Sequence, residues 1–150
     1  MTGASDPLVL ELTCTLDASP ERIFRALTDP AELVKWWGPS GFTTPEIEID
    51  PRVGGSYRLG MQPPDGELFH LAGEFLEVGR PTRLAYSFRW EEPDPDDQET
   101  AVKLFLDAVA GQTRLSLWHG VFATEARLAL HKSGWADSLQ RLSAFLESAA

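Results

Sequence analysis

The sequence predicts an α+β fold in which a curved antiparallel sheet of about seven strands packs against one long C-terminal helix. Two observations support this prediction. Between residues 45 and 121, apolar residues recur at every second position in short runs separated by turn residues, which is typical of antiparallel strands. From residue 124 onward their spacing changes to three and four, the period of a helix. With 150 residues the chain has the length of one domain, so residues 1–150 are interpreted as a single domain.

The N-terminal part is predicted to contain a strand followed by two short helices. Apolar residues alternate from Leu8 to Leu16, which predicts a strand with one buried face. Ser19 and Asp29 are each followed by proline, a pattern typical of helix N-termini because the side-chain oxygen caps a free N–H group. Glu32 completes a capping box after Asp29, and Gly38 ends the second helix.

The middle of the chain is predicted to form six further strands, because alternating apolar residues are interrupted by turn sequences such as PPDG and AGQ. These connections are short, and short connections require antiparallel neighbours because parallel strands need a long crossover. The predicted strands cover residues 45–50, 56–61, 67–78, 83–90, 100–109 and 113–121.

One acidic run interrupts the predicted strands. Residues 91–99 read EEPDPDDQE and contain six carboxylates. Calcium binding is one interpretation, but the run contains prolines and lacks the glycine of an EF-hand loop. The run is therefore interpreted as a solvated hairpin tip.

The C-terminal helix is predicted from residue 124 to residue 146, with Thr124 as its N-cap. At 1.5 Å per residue, a helix of roughly 22 residues is about 33 Å long. Gly134 lies in its middle, where glycine costs about 1 kcal/mol relative to alanine, so we expect another group to approach the backbone closely there. One apolar stripe contains Leu128, His131, Trp135, Leu139, Leu142 and Leu146.

This arrangement predicts a cavity. The sheet has to cover its apolar face, and the long helix is the one long amphipathic element left to cover it. A strongly twisted sheet cannot lie flush along a straight helix of about 33 Å, so a gap is expected at one end. The short helices and the turn at Trp36 and Trp37 would close that gap, which explains the aromatic sequence VKWWGPSGF as a wall of an apolar pocket.

Composition limits the classes of partner and the cellular compartment. The formal net charge is −10 and the 13 basic residues are scattered, which argues against nucleic acid and against an anionic membrane as partners. No apolar run is long enough to span a bilayer, and the N-terminal sequence lacks the features of a signal peptide. Cys14 is the single cysteine and is interpreted as a small core residue in a reducing compartment. A cytoplasmic location is therefore predicted.

Five stretches of the chain resemble signature stretches of the SRPBCC or START-like superfamily and follow one another in the same order. The most similar branch is the one named after the activator of the heat-shock protein 90 ATPase (homologue 1-like). The resemblance covers nearly the whole chain and implies a helix-grip fold with a ligand cavity between the sheet and the C-terminal helix. The stretches read SPERIFRALTDPAELVKWWGPSGF, EIDPRVGGSYRLGMQPPDGE, GEFLEVGRPTRLAYSFRW, GQTRLSLWHGVF and HKSGWADSLQRL.

The last predicted strand departs from the pattern of many relatives. They read like T-H-x-G-F at its end, whereas this chain reads WHGVF. If Leu115, Leu117 and His119 face inward, Trp118 faces outward. An outward tryptophan predicts a surface for self-association, and therefore a homodimer.

The leading functional hypothesis is the binding of an apolar or aromatic small molecule in the cavity under the C-terminal helix, with no cofactor, catalytic residue or metal site. A metal held by His70, His119 and His131 is disfavoured because no two histidines have the close spacing of a ligand pair. The candidate ligand-binding residues are Trp37, Phe42, Tyr57, Met61, Phe69, Tyr86, Phe88, Trp90, His119, His131 and Trp135.

Two alternatives follow from the resemblance. Some members of the superfamily are cyclases or dehydratases of polyketide-like substrates, and such an enzyme would need His119, His131, Tyr57 or Tyr86 to converge on one point. The branch name suggests an interaction protein that stimulates a chaperone ATPase. The chain shows no counterpart of the additional N-terminal domain of eukaryotic co-chaperones, which argues against that alternative.

Overall fold

A computed structural model describes residues 7–148 of the chain. Seven strands form one antiparallel sheet in the order β1-β7-β6-β5-β4-β3-β2. The predicted α+β helix-grip fold is confirmed, with two short helices between the first two strands and one long helix at the end. The elements are β1 (Val9–Leu16), α1 (Pro20–Thr28), α2 (Pro30–Trp36), β2 (Thr43–Ile49), β3 (Ser56–Gln62), β4 (Phe69–Gly79), β5 (Arg83–Trp90), β6 (Thr100–Val109), β7 (Gln112–Gly120) and α3 (Glu125–Ser148).

The two short helices begin where the capping residues predict. The Ser19 hydroxyl accepts a hydrogen bond from the backbone N–H of Arg22 at the start of α1, and Asp29 caps α2 in the same way. The predicted capping box between Asp29 and Glu32 is wrong. The backbone N–H of Asp29 donates to the Arg25 carbonyl, and the Glu32 carboxylate accepts hydrogen bonds from the side chains of Arg22 and Arg25. Glu32 therefore links the two helices.

Alternate residues of the strands face α3 and form the core. The sequence left the orientation of β7 open, and in the structure Leu115, Leu117 and His119 are buried and face inward. Trp118 consequently faces away from α3, where the Lys103 ammonium lies 4.6 Å from its ring centroid. Self-association through this face, and with it a homodimer, stays a prediction. Cys14 is half-buried and packs against the core, and this burial raises the pKa of its thiol.

The acidic run folds back onto the first turn of α3. The Arg127 guanidinium donates to Asp96 at 2.9 Å and to Asp94 at 2.6 Å, and lies 3.6 Å from Asp97. The interpretation as a wholly solvated tip is wrong for Asp97, whose side chain is 9% exposed. Sequence reasoning missed this because the counter-charge comes from an element about 30 residues further along the chain.

No helix within residues 7–148 is long and apolar enough to cross a membrane. The cytoplasmic location stays a prediction. The expected absence of a signal peptide concerns in part residues 1–6, which lie outside the described residues.

Candidate functional site

A cavity of about 340 Å³ lies between the first half of α3, strands β3 to β5 and the turn that follows α2. Small-molecule sites have volumes of roughly 300–1,000 Å³, so this cavity reaches the lower end of that range. Eight of the eleven candidate ligand-binding residues line it: Trp37, Phe42, Met61, Phe69, Phe88, Trp90, His131 and Trp135. That they bind a ligand stays a prediction.

Tyr57 and Tyr86 do not line the cavity and belong to the core. Their rings pack against each other with centroids 5.2 Å apart, and both contact Phe75. The Tyr57 hydroxyl donates to the Ser87 carbonyl at 2.6 Å. Burial raises the pKa of both phenols, so they stay protonated. Alternation placed them on the correct face of the sheet, but it could not say how far along the strands the cavity extends.

His119 also does not line the cavity, but it contacts a residue that does. Its Nδ1 accepts a hydrogen bond from Trp135 Nε1 at 3.0 Å, so the proton lies on Nε2, which donates to Thr100 Oγ1 at 2.7 Å. Burial, with a smaller contribution from His131, lowers the pKa of His119 to about 3. His119 is therefore neutral near neutral pH and fixes the orientation of the Trp135 indole.

His131 is the histidine that lines the cavity. Its Nε2 accepts from Trp90 Nε1 at 3.0 Å, and its Nδ1–H donates to the Arg127 carbonyl at 2.7 Å. Burial is the main cause that lowers the pKa of His131. The rings of His119 and His131 come within 5.6 Å of each other, but neither has a nitrogen free to accept a proton from a molecule in the cavity.

The turn at residues 37–42 is held against α3 by one arginine. The Arg141 Nη1 donates to the carbonyls of Trp37, Gly38 and Pro39 at 3.1, 2.9 and 3.0 Å. These carbonyls follow the end of α2, where backbone acceptors lack partners within the helix. Sequence reasoning missed Arg141, because nothing in the local sequence indicates that it reaches a turn about 100 residues earlier.

One polar atom in the wall lacks a partner. Trp37 is 8% exposed and packs edge-on against Trp135 with centroids 5.4 Å apart. Its indole N–H is buried and has no hydrogen-bond acceptor within residues 7–148. Leaving such a donor unpaired costs about 1–3 kcal/mol.

The mouth of the cavity is polar and acidic. Glu92, Asp94, Asp97 and Arg127 line it, and none of them was among the candidate residues. The acidic run was the signal that could have found the three carboxylates. It was interpreted as solvated because its proximity to the cavity follows from the tertiary fold.

Gly134 also lines the cavity, and the predicted close approach to its backbone is wrong. A Cβ atom added there would meet Pro39 Cγ at 3.7 Å, which is ordinary van der Waals contact. The glycine instead leaves room beside α3.

His70 does not join the other two histidines. Its Nδ1 lies 3.1 Å from Glu92 and its Nε2 lies 3.0 Å from Glu46. Glu91, which lies close enough to share an ion with His70 and Glu92, is paired with the Arg58 guanidinium. The prediction that the protein has no metal site stays a prediction.

Comparison with known proteins identifies one matching family and several similar solved structures. The family described as Activator of Hsp90 ATPase homolog 1-like protein matches residues 17–147. No curated protein matches the chain significantly.

Solved structures with the same fold come from several bacteria. A protein from Chromobacterium violaceum is 28% identical with a TM-score of 0.85, over 93% of this chain and 96% of that one. The AHSA1 protein from Silicibacter pomeroyi is 28% identical with a TM-score of 0.83, over 95% of this chain and 99% of that one. A protein from Rhodobacter sphaeroides is 26% identical with a TM-score of 0.81, over 97% of each chain.

Proposed function

The chain belongs to the family of Activator of Hsp90 ATPase homolog 1-like proteins, and we propose that it binds an apolar or aromatic small molecule in the cavity beneath α3. The observation that carries this proposal is the cavity itself, which has a volume of about 340 Å³ and a wall that contains six Phe and Trp rings. Membership of a family with this fold supports a ligand-binding role in general, and the wall chemistry supports the class of ligand.

The wall is organised to stay open. Two of its rings are held by hydrogen bonds, from Trp90 to His131 and from Trp135 to His119. A flat or apolar ligand would make dispersion contacts with these rings and exclude water from them.

The two alternatives have less support. For a cyclase or dehydratase, a free base should face the cavity, but the nitrogens of His119 and His131 are already hydrogen-bonded and the two tyrosines lie in the core. Stimulation of a chaperone ATPase is suggested by the family description, but no contact or surface within residues 7–148 favours it for this chain.

The test fills the cavity without disturbing the fold. Gly134→Leu would extend a side chain from α3 into the cavity, and it replaces glycine by a good helix former. Ala136→Leu is the matched control, because Ala136 is exposed on the same helix. The probe is the neutral dye N-phenylnaphthylamine, followed by its own fluorescence and by quenching of the tryptophans.

We expect saturable binding to the natural sequence and to Ala136→Leu, and at least about tenfold weaker binding to Gly134→Leu, since a filled cavity cannot accept the dye. Circular dichroism would confirm that both variants are folded. Equal binding by Gly134→Leu and the natural protein, or no saturable binding to the natural protein, would refute the proposal.

A further inference from the structure

We propose that the ligand is a cation, with an apolar or aromatic body inside the cavity and a protonated amine at the mouth, bound by the carboxylate of Asp97. This inference rests on the proposed function and names the chemical class of its ligand.

The mouth contains more acidic than basic groups. Glu92, Asp94 and Asp97 line it together with one cation, Arg127. Arg127 is engaged by three carboxylates, because it also donates to Asp96 behind the mouth. One guanidinium cannot neutralise three carboxylates, so the mouth keeps a negative potential that favours a cation.

Asp97 is the carboxylate best placed to bind the amine. Its side chain is 9% exposed although the residue lines the cavity. One oxygen, Oδ2, accepts the backbone N–H of Asp94 at 2.8 Å. The other oxygen, Oδ1, lies 3.6 Å from the Arg127 guanidinium and accepts no hydrogen bond within residues 7–148. Because its ion pair with Arg127 is as long as 3.6 Å, this oxygen can still accept a hydrogen bond from a charged N–H group, which is a stronger donor than a neutral one.

The aromatic wall suits the same ligand. Phe42, Phe69, Trp90 and Phe88 form a continuous series of rings, with neighbouring centroids 6.1, 5.3 and 5.2 Å apart. The faces of such rings attract cations, most strongly for tryptophan. An amine beside Trp90 would therefore gain from the ring as well as from the carboxylate.

Anionic amphiphiles are disfavoured by the same charges. A fatty acid or an aromatic carboxylate would bring its negative charge to a mouth lined by Glu92, Asp94 and Asp97, in a protein with a net charge of −10. Like charges at close range oppose binding, so a carboxylate should bind more weakly than a neutral molecule of the same shape.

The experiment compares three ligands with one body. Phenylbutylamine, phenylbutanol and phenylpentanoate carry an ammonium, a hydroxyl and a carboxylate on the same phenylbutyl group. Their dissociation constants would be measured near neutral pH by calorimetry for the natural protein, for Asp97→Asn and for the control Asp107→Asn. Asp107 is an exposed carboxylate on β6 and does not line the cavity.

We expect the amine to bind at least about tenfold more tightly than the alcohol, because a hydrogen bond between two charged groups is stronger than one to a neutral hydroxyl. The carboxylate should bind most weakly. Asp97→Asn should remove the preference for the amine and leave binding of the alcohol unchanged, because an asparagine oxygen can still accept the N–H of Asp94. Asp107→Asn should change neither the preference for the amine nor the binding of the alcohol.

Each other outcome has a definite meaning. If the alcohol binds as tightly as the amine, or if the carboxylate binds best, the inference is wrong while the proposed function stands. If Asp97→Asn weakens the amine and the alcohol equally, Asp97 has only a structural role and the inference is wrong. If none of the three ligands binds and the dye does not bind either, the proposed function fails, and the inference fails with it.

Discussion

The two halves of α3 carry one continuous apolar stripe, but they meet the rest of the molecule differently. In the second half, Leu139, Leu142 and Leu146 are buried in the core. In the first half, the stripe residue His131 is half-buried and lines the cavity, and Leu130, which lies beside the stripe, is 58% exposed and lines it as well. The same helical period therefore produces a packed core at one end and a cavity at the other, which is the result expected when a straight helix packs on a twisted sheet.

The two halves are also held by different forces. The second half is stabilised by close packing of leucines, as in any core. The first half keeps its rings in position through hydrogen bonds, since His131 is bonded to Trp90 and Trp135 is bonded to His119. A wall fixed in this way does not need a side chain opposite it, so the space it encloses stays available to a ligand.

The largest effect that tests this comparison comes from truncating one leucine in each half. Leu142 is fully buried, and Leu142→Ala should lower the free energy of unfolding by about 2–5 kcal/mol, because it removes buried methyl groups and leaves a void. Leu130 is mostly exposed, and Leu130→Ala should lower it by less than about 0.5 kcal/mol. Urea denaturation followed by circular dichroism would measure both changes.

The contrast between these two variants is the result that matters. If Leu130→Ala cost as much as Leu142→Ala, the first half of α3 would be packed as tightly as the second. The distinction between the two halves of α3 would then be lost.

A smaller effect concerns the hydrogen bonds that hold the wall. The pKa of His119 is about 3 in the folded protein and about 6.5 in an unfolded chain, so between these values the unfolded form binds the extra proton. Stability due to neutral His119 is therefore complete above about pH 6.5 and is lost as the pH falls, at about 1.4 kcal/mol per unit. Between about pH 6.5 and pH 5 the protein should lose about 2 kcal/mol, measured by urea denaturation at each pH.

Two variants identify the source of that loss. His119→Asn removes the titrating group, so the loss between these pH values should shrink, although the variant is less stable at neutral pH. His70→Asn is the control. Hydrogen bonds with Glu92 and Glu46 raise the pKa of His70, so its contribution is present at low pH and is lost as the pH rises through that value. An acid-side loss that persisted in His119→Asn would mean that another group causes it.

The fold was predictable because its signals are local. Strand alternation, the caps at Ser19 and Asp29 and the stripe on α3 are each contained in a few neighbouring residues, and a one-residue shift would bury the wrong face. The errors arose where a side chain is claimed by a distant partner. Glu32 was assigned to its own helix cap, but it pairs with Arg22 and Arg25 of the preceding helix.

The site was predictable in kind but only partly in detail. Alternation identified the rings that face α3, but it could not separate Trp90, in the wall, from Tyr86, in the core, because both face the same side of β5. Sequence reasoning missed Asp97 and Arg141 altogether. Both act through contacts with elements about 30 and 100 residues away, which only the folded chain brings together.

The smallest effect tests why α3 has a glycine beside the cavity. Gly134→Ala should raise the free energy of unfolding by up to about 1 kcal/mol, because alanine is the better helix former. The new methyl group would meet only Pro39 Cγ, at 3.7 Å. Gly38→Ala is the contrasting variant and should be destabilising, because Gly38 has a φ of 103° and a Cβ there would lie 3.3 Å from Phe42 Cβ. If Gly134→Ala instead lost stability in urea denaturation, the glycine would be required for close packing, and the first half of α3 would be packed as tightly as the second.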